Sequence, residues 1–208
     1  DDLVTGVQTC ALPISLLALS TLLFLGACQY ANQKKYISIP SLIEAQVAHV
    51  DTSLYSITKY IYQGTDSIPS DTFYIRREEF RQEANDFLEI LDLSLAKNAK
   101  RFNEESRYDD LLKQVLLTYL PIDANKEEWQ KEEVLIKPDP AMGDKVTTII
   151  ASKVRNDRNG LLQLEMLWLM DRSFQVTRTS QLPGEQAVTT TYKVIWNDHN
   201  DYDAGTVQ

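Results

Sequence analysis

Apolar and polar residues alternate along residues 161–196, and this alternation predicts three β-strands. A period of two with one apolar face is typical of a strand that packs one side on a core. Turn residues at 171–172 and at Pro183-Gly184 separate the three runs. The stretch therefore predicts two successive hairpins in an antiparallel meander. The apolar series of the first strand is Leu162, Leu164, Met166, Trp168 and Met170.

Three earlier segments have the same strand-like character, namely residues 113–121, 129–137 and 146–154. Turn-forming residues at 138–143 and 156–160 separate the later ones. Together with the meander they predict about six antiparallel strands. A sheet of this size must curve over an apolar partner.

A helix is expected before the sheet, beginning at Ser41. Ser41 and Glu44 have the spacing of a capping box, in which each side chain binds the other residue's free amide. Apolar residues continue at helical spacing to Ile61, so a single helix to about residue 62 is an alternative. Because residues 54–62 are rich in β-branched and aromatic side chains, a helix over 41–50 followed by a strand is favoured.

A second helix is predicted over residues 77–93, where apolar residues form one stripe. The stripe comprises Phe80, Ala84, Phe87, Leu88 and Leu91. The many carboxylates of this segment are interpreted as its solvent-facing side. Residues 94–110 show no clean period and are interpreted as a loop with occasional helical turns.

These elements predict an α+β fold, with N-terminal helices followed by a curved antiparallel meander packed on a helix. Residues 40–197 are expected to form a single domain, and residues 198–208 a disordered tail. The order of elements resembles half-barrel folds such as periplasmic lipoprotein carriers, and also cystatin-like folds. This is a resemblance of architecture, and no motif residue carries it.

The first residues carry no fold information. Residues 4–14 read VTGVQTCALPI, which resembles the in-frame translation of a sequencing-library adapter, so residues 1–14 are interpreted as an artefact. Residues 15–27 have the short apolar run of a signal peptide. Leu25-Gly26-Ala27-Cys28 resembles a bacterial lipobox, which implies that Cys28 is lipidated and begins the mature chain. Residues 28–39 would then be a flexible lipidated tether.

A lipid anchor implies the bacterial cell envelope, with the membrane itself as a partner. No acidic run follows Cys28, which favours the outer membrane facing the periplasm. The chain carries a formal net charge of −9, so nucleic acid is a poor partner. No cysteine follows Cys28, so the later sequence offers no thiolate metal site.

The sequence indicates no catalytic residue, metal ligand or cofactor site. His49 is expected on the first helix, and His199 lies in a terminal segment whose acidic residues lack the spacing of a calcium loop. No serine has a GxSxG context and no glycine-rich loop could hold a phosphate. We therefore expect a protein that is not an enzyme.

The candidate binding residues are Trp168, Met170, Tyr192 and Trp196, which are predicted on one face of the sheet. Most large apolar side chains of this kind belong to the core. If the concave face of the sheet is open, however, these four would line an apolar groove for a ligand.

The stretches YIRREEFRQEANDFLEI and MLWLMDRSFQVT resemble a group of uncharacterised Bacteroidetes lipoproteins of similar length. The likeness covers most of residues 39–197 and implies no known activity. Two functions remain open. The first is a non-enzymatic binding module of the envelope that contacts a partner protein through the exposed sheet face. The second is a carrier or chaperone for an apolar ligand, such as an acyl chain, in a half-barrel groove.

Overall fold

One open sheet of nine antiparallel strands forms the body of the protein in the computed structural model, which describes residues 36–197. The strands are β1 (Ile57–Gln63), β2 (Asp71–Ile75), β3 (Phe102–Asp109), β4 (Gln114–Pro121), β5 (Trp129–Lys137), β6 (Lys145–Asp157), β7 (Gly160–Leu169), β8 (Ser173–Gln181) and β9 (Val188–Ile195). The helices are α1 (Ile39–Thr52), α2 (Phe80–Glu83), α3 (Asn85–Leu88) and α4 (Ala96–Ala99), and a 3-10 turn (Arg77–Glu79) precedes α2. The predicted α+β class is confirmed at this level.

The strand order across the sheet is β2-β1-β9-β8-β7-β6-β5-β4-β3. Strands β3 to β9 form a meander in chain order, and the β1–β2 hairpin is added beside β9. The alternation correctly predicts β4 to β9, and β1 is the strand favoured after the first helix. The expected number of about six strands is too low. Strands β2 and β3 escape detection because they are edge strands with mostly exposed side chains, so they show no apolar alternation.

Helix α1 begins two residues earlier than predicted, at Ile39. Its N-cap is Ser38, whose hydroxyl accepts a hydrogen bond from the Ser41 amide at 3.4 Å. Pro40 occupies the first turn, where a missing N–H costs nothing. The expected capping box is therefore wrong, and Glu44 forms an ion pair with Arg81 instead.

The predicted helix over residues 77–93 is broken into short turns. The break lies at Ala84, whose backbone angles (φ −83°, ψ 1°) leave the regular helix. The apolar stripe is nevertheless placed as predicted, because Phe80, Ala84 and Phe87 are fully buried. Packing of these side chains against the sheet thus overrides the propensity for one continuous helix.

The core lies on one face of the sheet, which we call the inner face. Helix α1 contributes Ile43, Val47 and Val50 to it, and the broken segment contributes the buried stripe. Tyr36 and Ile39 are also buried, and the Tyr36 hydroxyl donates to the Phe102 carbonyl oxygen at 3.4 Å. The predicted tether over residues 28–39 is therefore too long, because residues 36–39 belong to the folded domain. The adapter-like segment, the signal peptide, Cys28 and the tail at 198–208 lie outside the described residues.

Candidate functional site

Five aromatic rings fill the centre of the inner face. Trp168 and Phe174 stack with ring centroids 5.0 Å apart, and Phe87 meets Trp168 edge-on at 4.9 Å. Phe80 contacts Trp196 in the same edge-on manner at 5.1 Å. Trp168 is 0% exposed and Trp196 is 2% exposed. The interpretation of these tryptophans as core residues is confirmed, and the protein's own side chains occupy the space above them.

The other two candidate groove residues, Met170 and Tyr192, are half-buried against the same core. The Tyr192 hydroxyl donates a 2.6 Å hydrogen bond to Asp86 Oδ2. Burial raises the pKa of this hydroxyl well above its usual range, and the bond to Asp86 adds to the shift. The structure thus brings all four predicted residues to one core, but it leaves no open groove between Trp168 and Trp196.

A polar network fastens the broken helical segment to the sheet at the margin of the aromatic cluster. We call it the Glu83–Asp86 network, and its residues are Lys59, Glu83, Asp86, Arg178 and Tyr192. Lys59 Nζ lies 2.6 Å from Glu83 Oε2 and 5.0 Å from the centre of the Tyr192 ring. Arg178 donates to both oxygens of Asp86, at 3.2 and 3.3 Å. Glu83 and Asp86 are therefore not merely solvent-facing, as the sequence suggested.

Glu132 on β5 is a buried carboxylate. It is 1% exposed, and neither carboxylate oxygen has a hydrogen-bond partner among residues 36–197. Burial raises its pKa to about 8, and the negative charge of Asp92 adds to the shift. Tyr119, which is also buried, lies directly opposite on β4. A buried carboxylate without a partner is costly, so Glu132 makes the interior sensitive to pH.

The opposite face of the sheet, which we call the outer face, carries an apolar patch on strands β4 to β7. We call it the outer patch, and it comprises Leu116, Leu135, Ile150, Leu167 and Leu169. Leu116 lies opposite Leu135, and Ile150 lies opposite Leu167. Leu135 and Ile150 are diagonal neighbours, since the residues directly opposite them are Thr148 and Glu133. All five side chains are half-buried by their neighbours, and none belongs to the set that packs on the core.

Polar side chains lie beside the outer patch. On β8 and β9, Thr177 pairs with Thr191 and Thr179 with Thr189, with hydroxyl oxygens 2.9 and 3.0 Å apart. On β5, Glu133 borders the patch and forms an ion pair with Lys131 at 3.0 Å. A solvated antiparallel sheet face is ordinarily polar throughout. The outer patch departs from that rule, and such departures mark interaction surfaces. The outer patch is therefore the candidate functional site.

The histidines do not form a site in the part of the chain that the structure describes. His49 is exposed on α1, with its ring centroid 6.0 Å from that of Tyr55. His199 falls outside the described residues. Between residues 36 and 197 no three His, Cys, Asp or Glu side chains are close enough together to hold a metal ion.

Comparison with known proteins adds no family to these observations: no protein family, curated protein or solved structure matches the chain. Within residues 36–197, no helix has both the length and the hydropathy needed to cross a bilayer.

Sequence reasoning missed both the outer patch and Glu132. A signal for the patch exists in β7, where apolar residues occupy both alternating series from Leu167 onward. No comparable signal distinguishes Glu132 from its neighbour Glu133. Only the strand register shows that Glu132 is on the inner face.

Proposed function

We propose that the protein is a non-enzymatic binding module of the bacterial envelope that docks a partner protein on the outer patch. The observation that carries the proposal is the group of neighbouring aliphatic side chains on the sheet face away from the helices. Burying such a surface contributes about 25 cal/mol of favourable free energy for each Å² of apolar area removed from water. The surrounding threonines and charged residues would form the polar rim that interfaces of this kind have.

The partner's chemistry follows from the patch and its border. Its contact surface should be aliphatic or aromatic at the centre, to match the leucines. At the border it should offer a basic residue to Glu133 or Glu165, which lie on the same face beside Ile150 and Leu167. An envelope protein with an exposed apolar surface fits this description.

The anchor and the compartment are part of the same proposal. The lipobox-like Leu25-Gly26-Ala27-Cys28 supports lipidation of Cys28 and placement on the outer membrane facing the periplasm. We infer a likeness to the uncharacterised Bacteroidetes lipoproteins on the stretches quoted above. The finer fold, a half-barrel of the lipoprotein-carrier or cystatin type, is supported by a single sheet with its helices on one face.

The alternative function, a carrier or chaperone for an acyl chain, has less support. Phe80 and Phe87 occupy the space over Trp168 and Trp196, where such a chain would lie. A long apolar ligand would have to displace these rings, and each is fully buried. A carrier that works in this way would need its helical segment to open.

The docking proposal is tested by site-specific photocrosslinking in intact envelopes of the producing bacterium. p-Benzoylphenylalanine is placed at position 167 in the outer patch, and at position 191 as the control. Thr191 lies on the same outer face, is half-buried in the same way, and is outside the patch. A discrete crosslinked protein is expected at position 167 alone. The same product at both positions, or none at either, would contradict docking on the patch.

The anchor is tested separately by metabolic labelling with an alkyne-bearing fatty acid. Label is expected on the wild-type chain and absent from Cys28→Ala. Label that persists in Cys28→Ala, or absence of label in the wild type, would reject lipidation of Cys28 while leaving the outer patch untouched.

A further inference from the structure

A recess of about 250 Å³ opens where the inner face ends at the β6–β7 hairpin. Its lining includes Arg155, Leu161, Leu162, Arg178, Ser180 and Leu182. Register places Leu162 between Arg155 on β6 and Ser180 on β8, so these three side chains share the inner face. The recess therefore lies beside the Glu83–Asp86 network, at the end of the sheet where Leu161 and Gln181 of the outer face also line it.

The two arginines offer unused hydrogen-bond donors to the recess. Among residues 36–197, Arg155 has a single ionic neighbour, Asp157, with its Nε 3.6 Å from the carboxylate oxygen, a distance longer than a hydrogen bond. Arg178 donates to Asp86 through one terminal nitrogen only. A guanidinium has five N–H donors in a planar fork that matches carboxylate and phosphate oxygens. Both side chains are about half exposed, so their free donors are accessible.

The remaining lining mixes polar side chains with an apolar floor. The polar ones include Asp157, Asn159 and Gln181. Leu162 is half-buried and packs on the hydrophobic core, so the recess has a floor that continues the core. At its rim, Gly160 has a φ of +120° and lies so close to β8 that an added Cβ would be 2.1 Å from the Gln181 carbonyl oxygen. This close approach fixes the hairpin against the end of β8.

We propose that this recess binds a small amphiphile with one anionic head, a carboxylate or a phosphate monoester, and a short apolar tail. The head lies between Arg155 and Arg178, and the tail lies on Leu162. At about 30 Å³ for a water-sized group, the volume holds about eight non-hydrogen atoms. Hexanoate has that size. The site is independent of the proposed partner-docking function, because none of the residues that line it belongs to the outer patch.

The test is a titration of the full-length chain with hexanoate, propyl phosphate and 1-hexanol, followed by NMR shifts of backbone amides. Hexanoate and propyl phosphate both have eight non-hydrogen atoms. Both anions are expected to shift the amides of residues 155–162 and 178–182, and hexanol is expected to bind at least tenfold more weakly. Tighter binding of propyl phosphate than of hexanoate would identify a phosphate-bearing ligand, and the reverse order a carboxylate.

Arg155→Gln is the diagnostic variant, and Arg158→Gln is its matched control. Arg158 lies in the same hairpin but does not line the recess. Arg155→Gln is expected to weaken hexanoate binding at least tenfold, and Arg158→Gln to leave it unchanged. The proposal is overturned if no probe binds, if hexanol binds as tightly as hexanoate, or if the two variants behave alike. Because Arg155 is an exposed side chain, circular dichroism should show a folded protein in both cases.

Discussion

Replacing Glu132 by glutamine is expected to stabilise the protein at neutral and alkaline pH. The folded-state pKa of Glu132, about 8, lies above its ordinary value of 4.5 because the carboxylate is desolvated and faces Asp92. The folded state therefore binds a proton more tightly than the unfolded chain does. The contribution of this bound proton to the free energy of unfolding is fully present below pH 4.5. It is lost as the pH rises through 8.

The size of the effect follows from the two pKa values. One pKa unit corresponds to about 1.4 kcal/mol, so the free energy of unfolding should fall by about 3–4 kcal/mol between pH 5 and pH 8. A small domain has only about 5–15 kcal/mol of stability in total, so this loss is large enough to measure. Glutamine has a similar shape and does not titrate. The glutamine amide would lack hydrogen-bond partners, as the protonated carboxyl group of Glu132 does. The two proteins should therefore have similar free energies of unfolding near pH 5.

Urea denaturation of both proteins at pH 5, 6, 7 and 8 measures the difference. Glu132→Gln should lose most of the pH dependence and exceed the wild type by about 3 kcal/mol at pH 8. Glu165→Gln, an exposed glutamate on β7, serves as the control and should keep the wild-type slope. If the wild type shows no decline, or if Glu132→Gln declines as steeply as the wild type, the buried position of Glu132 is wrong.

Three further substitutions test the Glu83–Asp86 network and the close approach at Gly160. Tyr192→Phe removes the hydrogen bond to Asp86 and should lower the free energy of unfolding by about 1–3 kcal/mol, measured by urea denaturation. An unchanged midpoint would mean that the network does not fasten the helical segment. Gly160→Ala should cost more than about 2 kcal/mol, because its Cβ meets the Gln181 carbonyl and its φ is positive. Gly184→Ala also has a positive φ, but its Cβ has open space, so a thermal melt should show a smaller loss, about 1 kcal/mol. Equal losses of stability in Gly160→Ala and Gly184→Ala would contradict the close approach of Gly160 to the Gln181 carbonyl oxygen.

The sequence predicts most of the sheet because alternation is strong where one face of a strand is buried. Strand β5 has the predicted bounds at 129–137, and β7 and β9 differ from their predicted runs by a residue or so. The signal fails at the edges. Strand β3 reads FNEESRYD and has solvent on both faces except at Phe102, so nothing in its pattern requires a strand.

The helices show a different limit of prediction from sequence. Periodicity correctly identifies which side chains of residues 77–93 face the core, but it contains no information about the break at Ala84. That break is accompanied by contacts to distant strands. Glu83 forms an ion pair with Lys59. Asp86 accepts a hydrogen bond from Tyr192 and forms an ion pair with Arg178. Contacts of this range depend on the assembled sheet, and local sequence does not encode them visibly.

The outer patch could not be predicted from the sequence for a related reason. A period of two separates the two faces of a strand but does not say which face the helices cover. Leu167 and Trp168 are adjacent apolar residues, and only the fold places Trp168 in the core and Leu167 on the outer patch. Glu132 and Glu133 present the same ambiguity, and only the fold places Glu132 in the core and Glu133 on the outer face.

The pairing of β1 with β9 sets the order in which this domain can be completed. Thr58 lies opposite Ile195, so about 140 residues of chain separate two adjacent strands. Closing so long a loop lowers the entropy of the chain before the contacts between the two strands can stabilise it. Sheets with such distant pairings therefore fold slowly. Since synthesis proceeds from the N-terminus, the β1–β2 hairpin must wait for the last strand, and an isolated hairpin is at best marginally stable. Truncation before β9 should therefore do more than shorten the sheet: it should leave the first hairpin without a partner and expose it to proteases and aggregation.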